Sequence, residues 1–356
     1  MTSRERVLAA FDHTEPDRVP AWCGSSPEFW NHAKRELGLD DEGLRIRFGD
    51  DFRRVFATDD NPEYTLSDGA VYTLSDGVVY RTIFGIERSG IGYGQPLSHP
   101  LAQASLTEVH DYQWPDPLRM NVSGIRREAG RYRGQYAILG GEWSPFWHDA
   151  IDLVGMENLY YRMYDEPAFV DAVMGHIVDY YAEVSRRIFD AAADVIDIFF
   201  IGNDLGSTNG PLLGEAMFRR FILPHIARLI DLGHSYGLKV MLHCCGGFAP
   251  LIPSLIEAGL DGLHAVQPCC HGMDLRTLKA EFGDRILFNG CIDSQSVLIE
   301  GAPGYVREKT CEVIDIMKHG GGFVAGASHD YILEETPLEN VLAMFDTIRE
   351  YGVYGQ

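Results

Sequence analysis

The chain has 356 residues, of which 46% are hydrophobic and 23% charged, a composition typical of a globular protein. Its formal net charge of −22 excludes nucleic acid as a ligand, because binding to phosphates depends on basic side chains. The same charge disfavours anionic membrane surfaces, and no apolar run reaches the roughly 18 residues of a membrane-spanning helix. The seven cysteines, an odd number, favour reduced thiols and a cytoplasmic location over a disulfide framework.

The first third of the chain has irregular patterning. A capped helix is predicted over 3–11, a strand over 18–22 and a second helix over 28–37. Between 64 and 77 the hexapeptide Tyr-Thr-Leu-Ser-Asp-Gly occurs twice, and each copy ends in an Asp-Gly turn signal. We expect a small antiparallel hairpin here that is added to the main fold.

From about residue 135 onward, short apolar runs alternate with helical patterns. Strands are predicted over 136–141, 195–201, 238–242, 262–266, 286–289 and 323–326. Helices are predicted over 150–192 (two, joined near 165–167), 214–236, 251–258, 274–282, 303–318 and 337–351. This alternation indicates βαβ units and a parallel sheet buried on both faces. Because α/β barrels often reach this length as one unit, we expect a single domain over 1–356.

Polar side chains follow six successive predicted strands, at the point where each strand ends. These residues are Glu142, Asn203 and Asp204, His243 and Cys245, Gln267, Cys291 and Asp293, and His329 and Asp330. In a (β/α)8 barrel the carboxyl ends of the strands share one face, where the active site lies. Asp and Asn at such positions also cap helices, which is the alternative interpretation of any one of them.

The triplet His243-Cys244-Cys245 ends the strand predicted over 238–242. Because side chains alternate along an extended segment, His243 and Cys245 should face one side and Cys244 the other. Imidazole and thiolate together suit Zn²⁺, and a catalytic zinc site has three protein ligands and one open position. A cysteine at a strand end is also commonly a small buried hydrophobe, which is the alternative.

Several motifs occur in a fixed order along nearly the whole chain. They are Ser-Arg-Glu-Arg-Val at 3–7, Asp-Arg-Val-Pro at 17–20, His-Cys-Cys-Gly at 243–246, Val-Gln-Pro at 266–268, Gly-Met-Asp at 272–274, Phe-Gly-Asp-Arg at 282–285, Gly-Cys-Ile-Asp-Ser-Gln at 290–295, Ser-His-Asp at 328–330 and Thr-Pro-Leu-Glu-Asn at 336–340. In these motifs the chain resembles the uroporphyrinogen decarboxylase superfamily, and within it the branch of zinc-dependent, corrinoid-linked methyltransferases. The resemblance implies an α/β fold, a distorted (β/α)8 TIM barrel with N-terminal helical and β-hairpin additions.

The resemblance also implies a zinc site. Methyltransferases of this branch have His-x-Cys after one strand, which His243 and Cys245 match, and a second Cys after the last strand. His329 lies near the position of that late Cys. Imidazole is a good zinc ligand, so the expected set is His243, Cys245 and His329, with Cys291 as the alternative third ligand.

The implied reaction moves a methyl group between a small substrate and a corrinoid cofactor. Asp204 and Glu142 are expected to orient the substrate or exchange protons, and Asp293 to hold the ring N–H of a ligating His or to cap a helix. Corrinoid-binding domains resemble one another in an Asp-x-His-x-x-Gly signature, which this sequence lacks. The corrinoid is therefore expected on a separate partner protein.

Two alternatives remain open on the sequence. A metal-free decarboxylase or lyase on the same barrel would work through Asp204 and His329, but the arginine-rich signature of true decarboxylases is replaced at 21–27 by Ala-Trp-Cys-Gly-Ser-Ser-Pro. Without those guanidinium groups an octacarboxylate tetrapyrrole is disfavoured as a substrate. The other alternative is a non-catalytic barrel that binds a corrinoid or another small molecule.

Overall fold

The computed structural model describes residues 1–59, 79–89 and 95–355. The hairpin predicted from the repeated hexapeptide at 64–77 lies outside the described residues. The strands, in chain order, are β1 (Phe52–Arg54), β2 (Thr58–Asp59), β3 (Val79–Arg81), β4 (Glu87–Ser89), β5 (Gln95–Pro96), β6 (Met120–Asn121), β7 (Ala137–Gly140), β8 (Ile198–Gly202), β9 (Gly206–Ser207), β10 (Gly210–Pro211), β11 (Lys239–His243), β12 (Gly262–Val266), β13 (Leu287–Ile292) and β14 (Phe323–Ala327).

Helices connect the strands and cover the outside of the sheet. They are α1 (Ser3–Phe11), α2 (Pro27–Leu37), α3 (Asp41–Phe48), α4 (Leu106–Asp111), α5 (Ile125–Gly130), α6 (Phe146–Val154), α7 (Met156–Asp165), α8 (Pro167–Ala192), α9 (Glu215–Met217), α10 (Leu223–Ser235), α11 (Ile252–Glu257), α12 (Leu275–Phe282), α13 (Pro303–Met317) and α14 (Leu338–Tyr351). Two π-helical turns, Phe218–Ile222 and Ser294–Ile299, lie within these connections.

The main sheet has seven parallel strands in the order β1-β7-β8-β11-β12-β13-β14. From β7 onward, each strand lies beside the next one of this sheet along the chain, as expected when helices make successive crossovers. The α/β class and the parallel sheet predicted from the sequence are confirmed. Small antiparallel pairs, β2 with β6, β9 with β10, and the three-stranded β3-β4-β5, are added to it.

The segment from Pro20 to Trp22 lies between the two edges of the main sheet. The Trp22 N–H donates to the Ala325 carbonyl of β14, and the Ala325 N–H donates to the Pro20 carbonyl, both at 2.9 Å. On its other side the Ala21 carbonyl accepts the N–H of Asp51, the residue before β1, at 3.0 Å. A strand is predicted at this position, and its hydrogen bonds on both sides are consistent with a TIM-like barrel.

The sheet encloses a cluster of large apolar side chains. Trp22, Phe200 of β8 and Met241 of β11 belong to this inner cluster, and α1 adds Phe11 at the end where the strands begin. A larger cluster packs between the outer faces of the strands and the helices. Because α1 fills the amino-terminal end of the sheet, the carboxyl ends of the strands form the face that is left for a site.

The structure differs from the prediction in several places, two of which concern the main sheet and its long helical connection. The stretch 150–192 contains three helices rather than two, because Gly155, with a φ of 87°, ends α6 and directly precedes α7. The strand β1 was not predicted, since its sequence Phe-Arg-Arg lacks the apolar run that marks a buried strand. No helix among the described residues has the length and apolar character needed to cross a membrane.

Candidate metal centre

Three of the predicted site residues meet at the carboxyl ends of β8 and β11. His243 is the last residue of β11, Cys245 follows two residues later, and Asp204 lies two residues beyond β8. The His243 Nε2 is 3.1 Å from the Cys245 Sγ and 3.4 Å from the Asp204 Oδ1. One ligand atom of each residue lies within 4.8 Å of the other two. These three residues are hereafter called the His-Cys-Asp group.

The loops after β8 and β11 come unusually close, which brings Asp204 to Cys245. Gly246 has a φ of 84°, and a Cβ on it would lie 2.5 Å from the backbone carbon of Gly206. Glycine is required there, because a side chain would separate the two loops. The approach lets the Cys245 N–H donate to the Asp204 Oδ1 at 2.9 Å, so the carboxylate is held in place by backbone.

A second histidine, His264, supports His243 from the neighbouring strand. His264 is fully buried in the middle of β12, and its Nδ1 lies 3.0 Å from the Nδ1 of His243. Its Nδ1 is also 3.9 Å from the Asp330 Oδ1. With the Nδ1 of His243 occupied in this way, the Nε2 faces Cys245 and Asp204. Sequence analysis missed His264, although a histidine inside an otherwise apolar strand was a signal that could have found it.

Burial and neighbouring charges set the protonation states of the group. Burial favours neutral His243, but the Cys245 and Asp204 side chains outweigh it and raise the pKa of His243 well above its usual value. Burial opposes ionisation of Asp204, yet hydrogen bonds from His148 and His243 hold its pKa well below the usual range. Burial lowers the pKa of His264 well below normal, so this ring is neutral and its Nδ1 can accept a hydrogen bond from the Nδ1–H of His243.

A cavity of about 270 Å³ reaches His243 and Asp204. Its walls carry the aromatic side chains Tyr80, Phe84, Trp143 and Tyr181. His148 lies in the same wall, and its Nε2 is 3.2 Å from the Asp204 Oδ2. The cavity is therefore a place where a small substrate can lie against the His-Cys-Asp group.

Asp149 of α6 is an acid in this cavity wall that sequence analysis missed. Burial raises its pKa to about 7, with the nearby Asp152 acting in the same direction, although the Tyr181 hydroxyl donates a hydrogen bond to it at 2.6 Å. A carboxyl group with this pKa exchanges protons readily near neutral pH. Its position inside a helix gave no sequence signal, because the strand-end pattern does not extend to helical residues.

Comparison with known families identifies the chain. Residues 71–351 match the family described as uroporphyrinogen decarboxylase (URO-D). The chain belongs to this family. The sequence-based recognition of the superfamily is thus confirmed, and the family accounts for the parallel α/β sheet.

Individual relatives of this URO-D family member are distant. Methylcobamide:CoM methyltransferase MtbA from Methanosarcina acetivorans is 20% identical over 65% of this chain and 63% of that protein. Uroporphyrinogen decarboxylase from Pelodictyon phaeoclathratiforme is 23% identical over 66% of this chain and 64% of the relative. The chain thus matches slightly less than two thirds of the length of these two relatives. The uroporphyrinogen decarboxylase from Azoarcus sp. is 24% identical over 73% of this chain and 72% of its own.

One solved structure resembles this URO-D family chain over its full length. It is described as a methyltransferase from Methanosarcina mazei, with a TM-score of 0.67, 19% identity and coverage of 99% of both chains. At this identity the likeness shows that the two chains share a fold.

Two other predicted acids of this URO-D family member have structural contacts. The N–H of Glu142, a buried residue, donates to the Ser185 Oγ at 3.0 Å. Asp293 caps the turn after β13, accepting the Gln295 N–H at 3.0 Å. The cap was one of the two roles considered for Asp293. The catalytic roles of both acids stay predictions.

Neither of the two candidates for the third metal ligand belongs to the His-Cys-Asp group. The His329 Nδ1 accepts the Tyr331 N–H at 3.1 Å. Among the described residues, His329 belongs neither to the His-Cys-Asp group nor to a second cluster of possible metal ligands, which consists of His243, His264 and Asp330. Cys291, fully buried, has a φ of 75° and lines a separate cavity with Asp274 and Val313. The metal assignment of His329 stays a prediction.

Proposed function

We propose that the chain is a zinc-dependent methyltransferase that moves a methyl group between a small substrate and a corrinoid. The observation that carries this proposal is the His-Cys-Asp group at the strand ends, beside a cavity large enough for a small substrate. The match to a methylcobamide:CoM methyltransferase, although at 20% identity, supports the same reaction class.

The spacing of the His-Cys-Asp group fits a zinc ion. With bond lengths of about 2.0–2.3 Å, two donors of a tetrahedral zinc lie about 3.3–3.6 Å apart. The His243 Nε2 is 3.1 Å from the Cys245 Sγ and 3.4 Å from the Asp204 Oδ1, close to these separations. We therefore propose Asp204 as the third donor, a role that the sequence gave to His329 or Cys291.

Two of the three proposed zinc donors are oriented by hydrogen bonds with neighbouring side chains, as is common for metal ligands. His264 accepts the ring N–H of His243, and His148 binds the second oxygen of Asp204. Bound zinc supplies Lewis acidity, which lowers the pKa of a coordinated thiol or polarises a methoxy or methylamine group. Asp149 would exchange a proton with the substrate, while the aromatic walls exclude water.

A corrinoid protein is the partner implied by this function. The nearest approach to the corrinoid signature, Asp231 followed by His234, has the His three residues after the Asp instead of two and lies at the end of α10. The open face at the carboxyl ends of the strands is where a corrinoid on another protein would have to reach.

The remaining parts of the proposal concern the whole chain. We propose a single domain over 1–356, a distorted (β/α)8 barrel in which the segment from Pro20 to Trp22 takes the eighth strand position. A cytoplasmic location stays a prediction, in keeping with seven cysteines that are all free.

A metal-free decarboxylase or lyase is the second candidate function. The hydrogen-bonded series His148, Asp204 and His243 can hold and pass a proton without a metal, and several URO-D relatives are named as decarboxylases. A non-catalytic binding barrel is the third candidate. Metal content separates the first proposal from both.

Purified wild-type protein, prepared without chelator, is expected to contain about one zinc ion per chain, as a site with three preorganised donors implies. Elemental analysis by mass spectrometry measures this ratio. Protein that contains no zinc and takes up none from solution would contradict the metal-dependent mechanism and favour the decarboxylase or binding function.

A further inference from the structure

Arg54 ends β1 at the same face of the sheet as the metal centre. Its guanidinium packs over three aromatic rings, at 4.4 Å from the centroid of Phe56, 5.2 Å from Trp143 and 5.3 Å from Phe200. Such stacking orients and stabilises a guanidinium but leaves its hydrogen-bond donors free. The side chain is thus held rigidly with donors to spare.

Arg54 has no counterion among the residues that the structure describes. Its Nη2 is buried without an acceptor, and it forms no ion pair with a described carboxylate. The neighbouring Arg53 pairs with Glu42 at 2.7 Å, and Arg45 pairs with Asp50 at 2.6 Å. A charge partly removed from water costs free energy unless it is paired. In a chain with a net charge of −22, an unpaired and half-buried arginine therefore calls for a functional explanation.

The guanidinium borders a cavity of about 360 Å³. Trp22, which is 7% exposed, borders the same cavity, and its Nε1 is a second buried donor without an acceptor. The other cations of the cavity wall are paired with carboxylates: Lys34 with Asp41, Arg45 with Asp50, and Arg53 with Glu42. Asp330, also in the wall, faces His264 at 3.9 Å. Among the described residues of this wall, Arg54 is thus the cation available to a ligand.

The rings under Arg54 connect it to the metal centre. Trp143 packs on His243 and Phe200 packs on His264, each with ring centroids 5.2 Å apart. The charge of Arg54 also contributes to lowering the pKa of His264. One layer of aromatic rings therefore separates the guanidinium from the two imidazoles, and the cavity at Arg54 is distinct from the cavity that reaches His243 and Asp204.

We propose that Arg54 binds an oxyanion, a carboxylate or a sulfonate, on a small molecule that occupies this cavity. Arginine suits this role because its planar fork donates two parallel hydrogen bonds to such groups. Anion binding at Arg54 does not require zinc, so it does not rest on the proposed function. The site would select acidic small molecules and reject neutral analogues of the same size.

The test compares probes of matched shape. Affinities of 4-methoxybenzoate, 4-methoxybenzenesulfonate and the neutral 4-methoxybenzamide are measured by calorimetry, with zinc-loaded and with chelator-treated protein. We expect one or both anions to bind at least about tenfold more tightly than the amide, since a hydrogen-bonded charge pair contributes at least that ratio. The stronger of the two anions identifies the kind of oxyanion preferred.

Arg54→Met removes the charge and keeps an apolar side chain against the rings, and it is expected to abolish the preference for anions. Arg54→Lys, which keeps the charge without the fork, is expected to retain part of it. Lys34→Gln, a cation already paired on the same cavity wall, is the matched control and should keep the full preference. Thermal unfolding of Arg54→Met should occur at the wild-type temperature or above, because an unpaired charge is removed.

The proposal is overturned if wild-type protein binds all three probes equally, or binds none below about 10 mM. It is also overturned if Arg54→Met keeps the preference, or if the variant only lowers the unfolding temperature, which would make Arg54 a purely structural residue. An anion preference in protein that never binds zinc would support the oxyanion site while contradicting the proposed function, so the two failures are distinguishable.

Discussion

Replacing Cys245 with serine is expected to lower the zinc affinity of the protein by two orders of magnitude or more. The Cys245 Sγ lies 3.1 Å from the His243 Nε2, in the position of a metal ligand. Loss of a partner that only supports a ligand already costs about 10–100-fold in metal affinity, and loss of a ligand costs more. Competition with a chromogenic chelator at fixed pH measures the change.

Cys244→Ser is the matched control, since it makes the same chemical change one residue away. Cys244 is fully buried on the other side of the segment, where its Sγ accepts the Leu205 N–H at 3.3 Å. We expect Cys244→Ser to retain zinc, with at most a modest loss of stability. Equal zinc loss in both variants would contradict the proposal that Cys245 binds zinc whereas Cys244 is only a buried side chain.

Replacing Asp204 with asparagine is expected to reduce zinc affinity nearly as strongly as Cys245→Ser. The change preserves the shape of the side chain but removes the negative charge, and with it a good oxygen ligand. The visible spectrum of the cobalt-substituted protein gives a second readout. Sulfur-to-cobalt charge transfer should persist in Asp204→Asn at saturating cobalt, because Cys245 is intact, while the bands that depend on ligand geometry shift.

His329→Ala and Cys291→Ser are the comparison variants, because the sequence assigns the third ligand to one of them. His329 hydrogen-bonds to Tyr331, and Cys291 lines a separate cavity, so both variants should bind zinc like the wild type. If His329→Ala loses zinc and Asp204→Asn keeps it, the third donor is His329, as the resemblance to the methyltransferases implies. If Cys291→Ser alone loses zinc, neither assignment holds.

The alternating apolar pattern from residue 135 onward was sufficient to predict the parallel sheet. It was also sufficient to bring His243, Cys245 and Asp204 to one face, because parallel strands end together. Strand alternation predicted correctly that His243 and Cys245 point the same way. These inferences succeeded because they depend on the backbone period alone.

Other parts of the site were not visible in the sequence. Cys291 was predicted to follow a strand that ends at 289, yet β13 continues to Ile292, and positive φ angles at Gly290 and Cys291 break its regular alternation. His148 and Asp149 reach the cavity from a helix, to which the strand rule does not apply. The position of Asp204, the proposed third donor, depends on the close approach of two loops at Gly206 and Gly246. This contact is long-range, and no local sequence pattern encodes it.

Formation of methylcobalamin from free cob(I)alamin tests the central claim most directly. Zinc-loaded protein is incubated anaerobically with cob(I)alamin and a panel of methoxylated, methylthiolated and N-methylated compounds, and the absorbance of methylcobalamin is followed. The account predicts that at least one donor supports methyl transfer, that chelation of zinc abolishes it, and that added zinc restores it. Transfer at an undiminished rate in fully zinc-free protein would contradict the account, and so would zinc-loaded protein that releases CO₂ from a carboxylic acid substrate but transfers no methyl group.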